Sequence, residues 1–248
     1  MKPNNQENNV SQEFHIPVLM YHTISPVAQD YNAVATEAFT EQMCWLASNR
    51  RPLTLAEAQI ALQNKQVPEN SVLVTFDDGY QELIEQAIPV LLKYSIPAVF
   101  FLLIEPLGGD DRWNPRSHVV RQHLYPEEVR HLANLPAMTI GAHGFTHQRI
   151  TRHEAYRIVA EMAGAKAGLE ELIGQQINSY AYPYGSFTPE ATQLAARFFS
   201  LAFASDGLGA WNWSEDPYAI RRLNVSNHLS LEGFMRLLER GKTDCVVR

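Results

Sequence analysis

The sequence predicts a single α/β domain built around a barrel-like, mainly parallel β-sheet. Short apolar runs such as 71–76 and 98–104 alternate with segments whose apolar residues recur at helical spacing. This alternation is typical of strands joined by helices, which pair in parallel. About seven such runs fall within 248 residues, the size of one α/β barrel. A doubly wound open sheet is the alternative.

The predicted elements follow one another without a linker or an internal repeat. Strands are predicted, in chain order, at 16–21, 71–76, 98–104, 137–142, 177–182, 200–205 and 219–225. Helices are expected to begin near Thr36, Thr54, Pro126, Thr188 and Ser230, which are residue types that favour helix N-termini. Pro89 is expected to kink the helix after the second strand. Residues 1–14 are interpreted as a flexible tail and 15–248 as the domain.

Composition and charge narrow the class of protein. The net charge of -7 and the lack of a basic run argue against a nucleic-acid surface. The longest apolar run, 98–104, is too short to span a bilayer. Residues 1–14 lack the apolar stretch of a signal peptide, so a cytoplasmic location is expected, or export if a leader was trimmed. Cys44, in a helical pattern, is expected to be buried, and with no cysteine motif a reducing compartment is favoured.

Reactive side chains follow several of the predicted strands at the point where each strand ends. They are His22, Asp77, Asp78, His143, the Pro-Tyr-Gly turn at 183–185, and Asp206. The carboxyl ends of parallel strands lie at one end of the sheet, where active sites gather in such folds. The sequence therefore predicts that these groups converge.

A metal site is predicted among these groups. His143 and His147 are four positions apart in "HGFTH", a spacing used for metal ligands, and two histidines with one carboxylate form a common open zinc site. A divalent ion would also make the adjacent carboxylates tolerable, with Asp78 as a ligand and Asp77 facing a bound water whose pKa falls to about 7. The alternatives are two surface histidines and a solvated "DDG" turn. The remaining histidines, including His123, are interpreted as surface or packing residues.

Together these motifs resemble the polysaccharide deacetylase family, also called the NodB-homology or carbohydrate esterase 4 family. The matching stretches are "TFDDGY" at 75–80, "HGFTH" at 143–147 and "YPYG" at 182–185. The resemblance implies a distorted (β/α)7-type barrel and metal-dependent removal of N-acetyl groups from amino sugars.

The resemblance also implies site roles. Asp77 corresponds to the general base, and the metal ligands correspond to Asp78, His143 and His147. The backbone N–H of Tyr184 corresponds to the group that stabilises the oxyanion. One divalent ion is implied, Zn²⁺ foremost, with Co²⁺ and Ni²⁺ as alternatives.

The sequence departs from the family pattern at three places. Gly144 replaces the Ser or Thr that normally braces the histidine loop, for which Thr146 can compensate. Ala181 occupies the position of the arginine that orients the base, and Arg222, with Arg221 as the weaker candidate, is expected to supply that cation. The late Leu-x-His motif is not clear.

The opening "PVLMYHTI" indicates where a catalytic acid lies. It resembles the branch that acts on poly-β-1,6-N-acetylglucosamine, in which the motifs are circularly permuted and a histidine after the first strand replaces the late one. His22 is the matching residue, and a packing histidine at a strand end is the alternative interpretation. His228, in the turn before the last helix, is the other candidate acid.

The predicted function is the metal-dependent hydrolytic removal of an N-acyl group from an amino sugar in a polysaccharide or glycan precursor. The expected acyl group is N-acetyl. One alternative is a deformylase or amidase acting on a lipid-linked sugar or a small amide. Another is a glycan-binding domain that has lost catalysis, against which the intact Asp77, Asp78, His143 and His147 count. The expected partner is a carbohydrate with an N-acetylhexosamine unit. Its sugar faces can stack on Trp113, Trp211 or Trp213, for which packing roles are the alternative.

Overall fold

A computed structural model describes residues 16–112, 119–205 and 216–240. Its strands are β1 (Val18–Tyr21), β2 (Thr23–Ser25), β3 (Ala33–Ala35), β4 (Arg51–Pro52), β5 (Ser71–Phe76), β6 (Ala98–Leu102), β7 (Met138–Ala142), β8 (Ser179–Ala181), β9 (Leu201–Ala204), β10 (Ile220–Arg221) and β11 (Leu223–Asn224). Its α-helices are α1 (Thr36–Asn49), α2 (Leu55–Asn64), α3 (Glu82–Gln86), α4 (Ile88–Tyr94), α5 (Pro126–Ala133), α6 (Ala155–Ile173), α7 (Pro189–Ala195) and α8 (Leu231–Arg240). Two 3₁₀ turns cover Ile150–Arg152 and Pro183–Gly185.

The main sheet closes on itself almost completely. Its strand order is β10, β9, β8, β7, β6, β5, β1, β11, and every pairing along this path is parallel. Ile220 in β10 pairs with Phe203 in β9, whereas Leu223 in β11 pairs with Leu19 in β1. Because β10 and β11 are consecutive, one extended segment joins the two edges of the sheet. The barrel prediction is confirmed, and the doubly wound alternative is wrong.

The two faces of each strand carry different parts of the core. Residues pointing into the barrel, among them Leu73, Val99 and Phe203, form one buried cluster. Their neighbours along the strands, such as Val74 and Phe100, belong to a second cluster with the surrounding helices. Side chains alternate with a period of two residues. The residues just beyond β5, β7 and β10 therefore point into the barrel mouth, and these are Asp77, His143 and Arg222.

The barrel interior is tightly filled near its functional end. A Cβ atom added at Gly141 in β7 would lie 2.5 Å from the Phe101 ring and 2.7 Å from Oγ of Ser179. Interiors packed to this density tolerate no added methyl group without displacing their neighbours. Gly141 thus leaves room for the Phe101 ring inside the barrel, two residues before His143 in the chain.

Most helix boundaries follow the sequence signals. Thr54 forms a capping box with Glu57, and the hydroxyl of Ser230 accepts from the backbone N–H of Gly233. Pro89 lies at the start of α4, where the predicted kink separates α3 from α4. The expectation that Thr36 is the N-cap of α1 is wrong: Thr36 is the first helical residue, and the N-cap is Ala35, which has no capping side chain. The Thr36 hydroxyl donates to Gln86 instead of to its own helix.

Three further observations complete the comparison with the sequence. Cys44 is exposed on α1, so the expectation that it is buried is wrong. The short strands β2, β3 and β4 were not predicted. Among the described helices, none combines the length and apolar character that a membrane crossing requires.

Candidate active site

The predicted reactive residues meet in one cavity at the carboxyl ends of the barrel strands. The cavity has a volume of about 430 Å³, within the range of small-molecule sites. Its lining includes His22, Thr23, Gln29, Asp30, Tyr31, Asn32, Asp77, Asp78, Tyr80, Arg121, His143, His147, Tyr184, Gly185 and Ser205. The convergence expected from strand-end placement is therefore present in the structure.

Asp78, His143 and His147 form a compact buried cluster. Oδ1 of Asp78 lies 3.3 Å from Nε2 of His143 and 3.3 Å from Nε2 of His147. One ligand atom from each residue lies within 4.8 Å of the other two. Both Asp78 and His147 have positive φ angles, 67° and 60°, so two tight turns bring these side chains together.

The cluster has the chemistry of a divalent metal site. Nδ1 of His143 lies 2.9 Å from the carbonyl oxygen of Ala181 and donates to it, which leaves Nε2 as the ring atom that faces Asp78. Oδ1 of Asp78 is buried without a well-aligned hydrogen bond from the described residues. Burial raises the pKa of Asp78, but His147 and His143 outweigh it and hold the pKa well below its usual value. Two imidazole nitrogens and an ionised carboxylate suit an open zinc-type site, so the residues fit the implied ion.

Asp77 lies beside this cluster and is held by Arg222. The guanidinium donates two hydrogen bonds to the carboxylate, from Nη1 to Oδ1 at 2.6 Å and from Nη2 to Oδ2 at 2.7 Å. Further hydrogen bonds from Arg222 reach Thr75 and the carbonyl of Ala204. Arg222, rather than Arg221, therefore lies where the sequence expected an orienting cation.

The ion pair controls the charge state of Asp77. Burial alone would raise the pKa of the Asp77 carboxyl, but the positive charge of Arg222, followed by that of His143, holds it below its usual value. Asp77 is consequently ionised at neutral pH and can accept a proton. Bidentate pairing also fixes the plane of the carboxylate.

Replacing Arg222 by glutamine should move the acidic limb of the kcat/KM profile to higher pH. Activity that needs the Asp77 carboxylate is lost as pH falls through its pKa, and without the guanidinium, burial raises that pKa. The measurement is a pH–rate profile on protein that circular dichroism shows to be folded. Arg221→Gln is the matched control, because Arg221 faces the opposite side of the sheet. An acidic limb that stays in place in Arg222→Gln would contradict the assignment.

His22 follows β1 and lines the same cavity. Its Nδ1 is buried without a hydrogen-bond partner among the described residues. Burial lowers the pKa of the His22 imidazole, and the nearby carboxylates Asp78 and Asp77 only partly offset this. The ring is therefore neutral in the resting site, and its protonated form is a stronger acid than an ordinary histidine.

His228, the other candidate acid, lies elsewhere. Its ring packs against Tyr31 with 5.8 Å between centroids, and the side chain is exposed. It is absent from the described cavity lining, whereas His22 is part of it. The positions of the two side chains thus favour His22 over His228 as the candidate acid.

Tyr184 lies in a tight turn at the cavity mouth. Its φ is 60° and that of Gly185 is 66°, and a Cβ at Gly185 would collide with Ser205. The turn therefore needs glycine there, and it brings the Tyr184 backbone to the cavity. The Tyr184 ring packs against His147 at 4.6 Å, and the guanidinium of Arg149 covers that ring at 4.4 Å.

The structure adds contacts to the site that sequence reasoning missed. His123 is buried, and its Nδ1 donates to the carbonyl of Asp78 at 3.0 Å, so its interpretation as a surface or ordinary packing residue was incomplete. Arg121 pairs with Asp30 at 2.6 Å on the cavity wall. Glu161 in α6 binds the loop between His143 and His147. No motif marks these residues, because their partners are distant in sequence.

Four predicted residues lie outside the described part of the chain. These are Trp113, Trp211, Trp213 and Asp206. Their roles as sugar-stacking or strand-end residues remain predictions.

By its fold and its site, the protein is an α/β barrel whose reactive residues lie at the carboxyl ends of the strands. Residues 64–199, more than half of the chain, match the family model for polysaccharide deacetylase. The chain belongs to the polysaccharide deacetylase family, as its motifs indicated.

Individual relatives agree with this assignment. The chain is 29% identical over 226 residues to the putative polysaccharide deacetylase YxkH of Bacillus subtilis, covering 90% of this chain and 76% of YxkH. It is 35% identical over 86 residues to the poly-β-1,6-N-acetyl-D-glucosamine N-deacetylase of Escherichia coli, which is 33% of this chain but only 13% of that protein. The deacetylase PplD of Streptococcus pyogenes, solved with acetate, superposes with a TM-score of 0.79 at 22% identity, covering 91% of this chain and 99% of PplD. This last likeness shows the shared fold.

Proposed function

We propose that the protein hydrolyses the N-acetyl group of an N-acetylhexosamine unit in a glycan, using one divalent ion. The observation that carries the proposal is the buried cluster of Asp78, His143 and His147 with the Arg222-bound Asp77 beside it. This arrangement supports a metal site and a general base in one cavity. The name of the Escherichia coli relative supports an N-acetylglucosamine polymer as the substrate class.

The three ligands would hold the ion through Nε2 of both histidines and a carboxylate oxygen of Asp78. When bound, a divalent ion supplies Lewis acidity, which polarises oxygen atoms of water and of the amide carbonyl. Asp77, ionised and oriented by Arg222, accepts the proton of the attacking water. The backbone N–H of Tyr184 donates to the oxygen that becomes negatively charged when the carbonyl carbon turns tetrahedral.

His22 completes the reaction on the leaving side. The C–N bond breaks with its electron pair going to nitrogen, so the amine must take up a proton as it departs. Protonated His22 supplies that proton, and its lowered pKa makes the transfer more favourable. His22, neutral in the resting site, takes this proton from solvent before it donates, and Asp77 gives the proton of the attacking water back to solvent. Water and amide are thereby converted into acetic acid and a free amino sugar.

Incubation with oligomers of N-acetylglucosamine should give products that have lost one or more acetyl groups, detected by mass spectrometry. Chelation should abolish the activity, because Asp77 and His22 alone do not polarise the carbonyl, and Zn²⁺, Co²⁺ or Ni²⁺ should restore it. Full activity in protein shown by elemental analysis to be metal-free would overturn the metal-dependent mechanism. Loss of a formyl group from a lipid-linked sugar, with no acetyl release, would replace the proposed substrate class.

A further inference from the structure

A carboxylate from helix α6 binds the loop that carries both ligand histidines, defined here as residues 143–147. Oε2 of Glu161 accepts hydrogen bonds from the backbone N–H groups of Phe145 at 2.8 Å and Thr146 at 2.9 Å. Oε1 accepts from the Thr146 hydroxyl at 2.6 Å. One side chain thus satisfies three donors between His143 and His147. Hydrogen bonds to an ionised acceptor are shorter and stronger than neutral ones.

The same contacts explain why glycine occupies position 144. Gly144 has a φ of +96°, and a Cβ there would lie 3.2 Å from Oε2 of Glu161 and 3.3 Å from the Pro183 ring. A Ser or Thr would have to adopt a backbone conformation that is unfavourable for L-residues, and its Cβ would require the carboxylate and the Pro183 ring to shift slightly. A side chain at position 144 would therefore crowd Glu161.

The conformation in which Glu161 holds the 143–147 loop is the one that brings His147 to Asp78. His147 has a φ of 60°, and its Nε2 nevertheless lies 3.3 Å from Oδ1 of Asp78. A left-handed residue without such fixed neighbours relaxes readily to other conformations. The two N–H groups bound by Glu161 immediately precede His147 in the chain. Their immobilisation limits where its imidazole can go.

From these contacts we infer that Glu161 is the positioning residue of the metal centre and replaces the hydroxyl brace that Gly144 cannot provide. The inference rests on the proposed function, since it concerns the same metal ion. Glu161 does not ligate the ion; it acts through the loop backbone. Loops held this way are preorganised, so less binding free energy is spent on ordering the ligands.

Titration of metal-free protein with Co²⁺, followed by visible absorption, tests the inference without using activity. Glu161→Ala should raise the Co²⁺ dissociation constant by about 10–100-fold, the usual effect of removing an outer partner of a ligand, and should change the Co²⁺ spectrum. Glu161→Gln should recover most of the affinity, because its amide oxygen still accepts the two N–H groups and its NH₂ can donate to Thr146. Glu171→Ala is the matched control, as Glu171 is exposed on the same helix, and its affinity should equal that of the wild type.

Thr146→Val keeps the test decisive if Glu161→Ala does not fold. It removes only the hydroxyl bond from Thr146 to Glu161 and should cause a smaller loss of Co²⁺ affinity than Glu161→Ala. Where Glu161→Ala does fold, the double variant should show no loss beyond that of Glu161→Ala. Wild-type affinity and spectrum in folded Glu161→Ala, or in Thr146→Val if Glu161→Ala does not fold, would overturn the inference. Failure of the wild type itself to bind Co²⁺ or Zn²⁺ would instead defeat the proposed metal chemistry, and the inference with it.

Discussion

Asp77→Asn should lower turnover by about 10²–10⁴-fold while the metal stays bound, because the variant loses a proton acceptor and no ligand. Asp78→Asn should weaken metal binding itself, since it removes the negative charge from Oδ1, the atom that faces both ligand histidines. Asparagine is the suitable replacement at position 78, because it tolerates the left-handed conformation there. Turnover and zinc content, measured on the same preparations, separate the two roles.

A loss of turnover in Asp77→Asn must be distinguished from a loss of stability. Asp77→Asn leaves the Arg222 guanidinium buried opposite a neutral amide, and an uncompensated buried charge can destabilise a protein by about 3–5 kcal/mol. The double variant Asp77→Asn with Arg222→Gln removes the charge and should recover stability but not turnover. Equal loss of zinc from Asp77→Asn and Asp78→Asn would contradict the division of roles.

His22→Ala and His22→Phe should keep the fold and the metal but lose most turnover on acetamides, by about 10²–10⁴-fold. An amine is a poor leaving group and must be protonated as it departs, whereas an activated acetate ester releases an anion that needs no proton. The loss on 4-nitrophenyl acetate should therefore be much smaller. The ratio of the two losses reports the acid role more directly than either rate alone.

His228→Ala provides the matched comparison for that experiment. His228 is an exposed histidine packed against Tyr31, so its removal should leave both substrates nearly unaffected. If His228→Ala lost amide turnover selectively and His22→Ala did not, the acid would be His228. The resemblance to the permuted branch would then fail, and the ordinary layout of the family would apply.

Much of the barrel could be predicted from local patterns. The apolar runs that became β1, β5, β6 and β7 are long enough to be recognised without knowledge of their partners, and Thr54 and Ser230 mark helix starts by side-chain chemistry. The short β2, β3 and β4 were not predicted, because two or three residues carry too little periodicity. The exposure of Cys44 was also missed, since helical spacing alone does not say which face a cysteine takes.

The sequence by itself determined the reactive groups: the strand-end Asp77 and Asp78, the spacing of His143 and His147, and the family to which they belong. Each of these patterns involves residues that are close together in the chain, so it can be recognised without a structure. Only the tertiary structure decided that Arg222 rather than Arg221 reaches Asp77, that His22 and not His228 lines the cavity, and that Glu161 braces the histidine loop. Each of these depends on which way a strand or helix faces after the barrel closes, and closure joins residues as far apart as Asp77 and Arg222. A one-residue change of register would turn Arg222 away from Asp77, and the sequence around Arg222 does not specify that register.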